Sequence, residues 1–208
     1  PLDAVVISHD HYDHLDPQAV RALKNVPFYC PLGVGKYLTS WGVTNVTEMD
    51  WTDKVTIGNK CELTALPARH FSGRSLFNRN ETLWCSYVIK TINHNIYHGA
   101  DSGLYEGFKE IGNTYGPFEL TMLEIGAYNE NWADIHMGPA NAIKAHLHLK
   151  GKLMMPIHWG TFNLSLHAWK EPVEDLVKYA EENNVKLFLP KPGEPTEPAE
   201  FNSNWWMK

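Results

Sequence analysis

The stretch Asp3-Ala4-Val5-Val6-Ile7-Ser8-His9-Asp10-His11-Tyr12-Asp13-His14 decides how this chain is read. It runs an apolar segment of buried-strand character, DAVVI, straight into an HxHxDH string. In an extended or turn conformation, His9 and His11 point the same way because side chains two apart share a face. Asp13 and His14 then turn toward a neighbouring position. Imidazole and carboxylate donors suit zinc at about 2.0–2.2 Å, and crowding several of them into one buried loop without a cation would be costly. Taken alone, the string also fits a polar loop that happens to be rich in histidine.

Two metal sites need more donors than the string supplies, and candidates follow downstream. His70 lies in PARHFSGR after the strand-like CELTALP, Asp101 in GADSG after NIYHG, and His158 in PIHWGTF after KLMMP. Each is expected at the C-terminal end of a strand, where sites in α/β folds are built. A lone histidine in such a place is more often a hydrogen-bonded core residue. Three potential ligands in this order after HxHxDH favour the metal reading.

Working outward, short β-rich runs alternate with helical ones. Pro17 opens an amphipathic helix, PQAVRALK, with proline in the first turn where its missing N–H does no harm. Val26 to Cys30 reads as a strand, GVGKYLTSW as a helix, and Thr44 to Pro67 as strand-like throughout. LWCSYVIK and NIYHGA form two strands about a turn at Asn93. YEGFKEIGNTY is helical, ELTMLEIGA a strand, ANAIKAHLHL a helix and KLMMPIH a strand. PVEDLVKYAEENN is a surface helix followed by a strand, VKLFLP, and KPGEPTEPAEF is an extended surface tail. No linker or repeat divides the chain, so one α/β domain over residues 1–208 is expected.

The bulk numbers narrow the function. With 43% hydrophobic and 20% charged residues, the 208-residue chain has the make-up of a globular protein and not of a disordered one. A formal charge of -6 argues against a nucleic-acid partner, which would call for a basic surface. Cys30, Cys61 and Cys85 are odd in number and include no CxxC pair, so they read as reduced thiols of a cytoplasmic protein. No run reaches the ~18 apolar residues of a spanning helix. The chain begins at Pro1, so these expectations concern only the residues given.

Together the HxHxDH string, His70, Asp101 and His158 resemble the metallo-β-lactamase superfamily, whose fold is an αββα sandwich. The resemblance implies that His9, His11 and His70 hold one zinc ion, that Asp13, His14 and His158 hold a second, and that Asp101 bridges them. DHYDHLD, PARHFSGR, IGNTYGPFEL, EIGAY, IHMGP and IHWGTF resemble, more narrowly, the N-acyl-phosphatidylethanolamine-hydrolysing phospholipase D family and its bacterial relatives. That similarity runs from Asp3 to about Pro172. Ala140 and Asn141 stand where relatives often carry an acidic residue. Such proteins also have strands ahead of HxHxDH, which here begins at residue 9. The fold is therefore expected to lack part of its N-terminal sheet, leaving an edge to be covered by another segment or by a second chain in an oligomer.

The function implied is hydrolysis. Two zinc ions would lower the pKa of a bound water enough to give hydroxide near neutral pH; iron and manganese suit the same donors. Asp13 is the expected orienter or proton acceptor, and Asp101 sets the metal separation. His136, in DIHMGP, is expected to hydrogen-bond a substrate oxygen or protonate the leaving group. The substrate expected is a phosphodiester of the N-acyl-phosphatidylethanolamine kind. A small lactone or ester is the alternative enzyme substrate, and a metal-stabilised binding protein is the non-enzymatic one. A lipid-like substrate would bring peripheral contact with a membrane. Trp205 and Trp206 would suit that contact, though closing the core is the more economical role. Arg74 is read as a structural partner, His146 and His148 as surface residues, and His94, His98 and His167 as structural. Trp159 and Tyr128 are read as packing residues rather than cleft lining.

Overall fold

In the computed structural model, which describes residues 2–198 and 204–207, the DAVVI run shortens to a strand of two residues, β1 (Val5–Val6). It pairs in parallel with β2 (Phe28–Pro31), and β2 pairs in parallel with β3 (Val46–Met49). Between β1 and β2 lies α1 (Pro17–Ala22). Asp16 caps it, its Oδ2 accepting from the Ala19 N–H at 2.7 Å, and Pro17 occupies the first turn. α2 (Gly35–Ser40) connects β2 to β3. The apolar faces of these elements form one cluster that includes Val20, Phe28, Val34, Leu38 and Leu15. Leu15 directly follows the HxHxDH string and is fully buried, an anchor contributing about 2 kcal/mol.

The strand-like region from Thr44 to Pro67 resolves into three strands: β3, then β4 (Lys54–Ile57), then β5 (Cys61–Leu66). β4 and β5 pair antiparallel, and β6 (Ser86–Lys90) lies antiparallel to β5. Met49, Leu63, Ala65, Cys85 and Tyr87 make the second cluster. All of this belongs to the first of two compact units, Pro1–His94 and Asn95–Lys208.

The second unit is organised by three parallel strands, β7 (Asn95–His98), β8 (Phe118–Glu124) and β9 (Gly151–Ile157), with β8 in the centre. Parallel strands need crossovers, which α3 (Gly107–Thr114) and α4 (Gly138–His148) supply. α5 (Glu171–Glu182) packs on α4, with Glu171 and Glu174 in its first turn where the helix dipole favours acidic side chains. The VKLFLP run forms no strand. It makes only isolated bridges, at Leu187 and Leu189, the first pairing in parallel with Met154 between two backbone hydrogen bonds. Pro190 and Pro192 follow at once and have no N–H to extend the ladder.

The tail is irregular and mostly exposed to residue 198, and its last three residues, 199–201, lie outside the described residues. Trp205–Met207 form a short 3-10 turn in which Trp206 is buried and Trp205 stacks on Trp159 at 5.1 Å. Among the described residues, no helix is long and apolar enough to cross a membrane.

Candidate metal centre

The HxHxDH loop leaves the end of β1 and is pinned on both sides. The Ile7 N–H donates to the Tyr29 carbonyl and the Cys85 N–H to the Ser8 carbonyl, each at 2.9 Å. The Tyr87 hydroxyl donates to the Ile7 carbonyl at 2.8 Å. Asp10, buried between two histidines, accepts the Gly73 N–H at 2.7 Å. The Arg74 Nη1 donates to the carbonyls of Asp10 (2.6 Å) and Leu15 (2.8 Å), and its guanidinium lies 4.1 Å from the centre of the Tyr12 ring. Arg74 is thus a clamp on the loop, as its structural reading requires.

Held this way, His9, His11 and His70 converge, each offering a ring nitrogen within 4.8 Å of the others. His9 Nε2 is 3.0 Å and His70 Nε2 3.3 Å from the same atom, His11 Nδ1. On its far side His9 Nδ1 meets the Ser8 hydroxyl at 2.9 Å, which directs Nε2 inward. A ring nitrogen carries either one proton or one lone pair, so three that meet at one point suit a cation better than one another. Beside them Asp13 Oδ2 and His14 Nε2 lie 3.4 Å apart, both half-buried, and the His14 ring is 4.1 Å from that of His9.

The second unit gathers its own donors for a topological reason. β7, β8 and β9 are parallel, so their C-terminal ends share one edge of the sheet, and Asp101, Glu124 and His158 all sit there. Asp101 Oδ2 is 3.3 Å from His158 Nε2. The backbone of Ala100 (φ 53°) and of His158 (φ 59°) is in the left-handed region, which non-glycine residues seldom adopt. Gly126 leaves room for the His158 carbonyl oxygen, which a Cβ there would approach to 2.2 Å. Asp101, Glu124, His136 and His158 again place one ligand-type atom each within 4.8 Å of the rest.

Glu124 is the residue that sequence reasoning missed. Fully buried, it accepts the Ser102 N–H (3.0 Å) and the Met137 N–H (3.1 Å) on Oε1, while Oε2 lies 2.6 Å from His136 Nδ1. Burial raises its pKa, against the lowering effect of the His136 contact. Burial pulls the His136 pKa down, but the Glu124 hydrogen bond and charge outweigh that and raise it overall. A proton is therefore held firmly by the pair. The one hint in the sequence is a carboxylate that closes the strand FELTMLE directly after Met122 and Leu123.

The remaining histidines divide. His98 Nδ1 accepts the Ala100 N–H at 3.1 Å just ahead of Asp101, and the His167 ring stacks on Tyr128 at 4.7 Å. His146, expected at the surface, is buried against β8, 2.7 Å from Thr121 Oγ1. The helical period turns it inward, and Gly151 leaves room for its ring.

The donor groups gathered in each unit are able to bind metal, and comparison with known proteins identifies the family. A family model described as a beta-lactamase superfamily domain matches residues 1–159. The chain is 47% identical over 216 residues to the uncharacterized protein Rv0906 of Mycobacterium tuberculosis, covering 99% of this chain and 57% of that protein. It is 35% identical over 191 residues to N-acyl-phosphatidylethanolamine-hydrolyzing phospholipase D 1 of Caenorhabditis elegans, covering 84% and 54%. It spans little more than half the length of these curated relatives. Igni18, a metallo hydrolase of the archaeon Ignicoccus hospitalis, shares the fold at a TM-score of 0.74 and 23% identity, over 92% of this chain and 77% of that one. With most of its length matched and its fold shared, the chain belongs to the beta-lactamase superfamily and has the metallo-β-lactamase fold.

Proposed function

We propose that this protein is a dinuclear zinc hydrolase acting on a phosphodiester of the N-acyl-phosphatidylethanolamine kind. In this reading His9, His11 and His70 hold one ion, Asp13, His14 and His158 hold the other, and Asp101 is shared. The observation that carries it is the meeting of three imidazole nitrogens at His11 Nδ1, a geometry that calls for a cation. The likeness to a phospholipase D supports the choice of substrate. Bound there, the ions would stabilise a negatively charged oxygen and activate water near neutral pH. Asp13 orients the nucleophile or accepts its proton, and His136 donates to the substrate oxygen or to the leaving group. A lipid-like substrate entails peripheral contact with a membrane surface.

The test is metal analysis together with release of N-acylethanolamine from N-acyl-phosphatidylethanolamine, with Asp101→Asn as control. About two zinc ions per chain and turnover that falls with metal content in the variant are expected. Full activity in Asp101→Asn would remove the assignment. Two bound metals without lipid turnover would shift the substrate to a lactone or small ester, and preference for iron or manganese would correct the metal.

A further inference from the structure

The turn that carries His136 has no carboxylate between that residue and Asn141, yet the His136 imidazole has a strong acidic partner from another element. We propose that Glu124, at the end of β8, is a positioning residue that keeps a proton on His136 Nδ1, the Nδ1–H tautomer of the neutral ring, and so turns Nε2 to substrate as the atom that donates once it too is protonated.

Three observations carry this. The Glu124 side chain is fully buried, and its burial is compensated by donors alone: two backbone N–H groups on Oε1 and the imidazole on Oε2. A carboxylate with Oε1 so engaged cannot turn away without orphaning the Ser102 and Met137 N–H groups, so Oε2 stays aimed at His136. The same Oε2 lies 3.8 Å from His158 Nδ1, while the other nitrogen of that ring faces Asp101. One carboxylate thus stands behind two imidazoles whose rings are nearly parallel, at 14° and 5.4 Å. This is the arrangement by which an outer carboxylate sets the tautomer of a working histidine. The inference rests on the hydrolase reading only for what Nε2 does, and not for the tautomer itself.

Glu124→Gln separates these points. The amide oxygen can keep the Ser102 and Met137 N–H groups, but its NH2 then faces His136 and forces the opposite tautomer. In the wild-type protein, long-range 1H–15N spectra of the imidazole are expected to show His136 as Nδ1–H, and in Glu124→Gln as Nε2–H. That measurement needs neither metal nor substrate. If the variant does not fold, the wild-type spectrum still decides, and an Nε2–H tautomer there overturns the proposal. So does a variant that folds and keeps Nδ1–H.

In the zinc-loaded protein, Glu124→Gln is expected to lower kcat roughly ten- to a hundredfold with little change in KM. The double variant should lose no more than His136→Gln alone. Additive losses, or a flipped tautomer with unchanged kcat, would overturn the positioning role. A flipped tautomer in a protein that turns over no phosphodiester would leave the Glu124–His136 pairing standing and remove the substrate assignment instead.

Discussion

His146 offers a prediction whose size follows from its surroundings. Its ring is 2% exposed, bonded to the Thr121 hydroxyl at 2.7 Å, and burial lowers its pKa from 6.5 to about 4. The fold therefore prefers the neutral imidazole, and protonation favours the unfolded chain. The stabilisation is fully present above the unfolded value of 6.5. It is lost as pH falls from there toward about 4, below which both states are charged and nothing more is lost. The fall from 6.5 to about 4 corresponds to about 3 kcal/mol, of which about 2 kcal/mol is already gone by about pH 5. Urea unfolding of metal-free protein at about pH 7.5 and about pH 5 measures this, with His146→Gln as reference. The other histidines are common to both proteins and cancel in the comparison. The wild type should lose about 2 kcal/mol more than the variant on acidification. Equal losses in the two proteins, or a His146 ring proton titrating near its ordinary value, would refute the reasoning.

Two further outcomes are expected. Arg74→Lys removes the paired Nη1 bonds to the Asp10 and Leu15 carbonyls and loosens the HxHxDH loop. Zinc affinity, measured by competition with a chromophoric chelator, should fall roughly ten- to a hundredfold, and unchanged affinity would deny the clamp. Burial pushes the Cys30 and Cys85 thiols up to about 12, whereas Cys61 is only half-buried. Ellman's reagent should therefore modify Cys61 in the native protein and the other two only on unfolding, and comparable rates for all three would contradict the packing of the first unit.

Much of the local structure is legible because it depends on neighbours in sequence. Asp16 and Pro17 start α1 by satisfying or omitting the first-turn donors, and VTEM, KVTI and CELTAL become strands through their β-branched and apolar content. The VKLFLP run misleads for a related reason: its composition is that of a strand, but Pro190 at its end and Pro192 just after it lack the N–H donors that a ladder needs.

The metal-binding character of this protein was determined by sequence alone, since imidazole and carboxylate groups carry their chemistry in residue type and announce their order along the chain. Only the tertiary structure decided what stands behind those groups. Glu124 becomes the partner of His136 because three parallel strands end at one edge, and a separation of twelve positions along the chain hides that meeting from any local pattern. The Thr121 hydroxyl that meets His146, and the Asp10 and Leu15 carbonyls that Arg74 reaches, are likewise contacts between residues distant in the chain. Donor identity is a property of a single side chain, whereas burial, tautomer and hydrogen-bond partner are properties of contacts between distant parts of the chain.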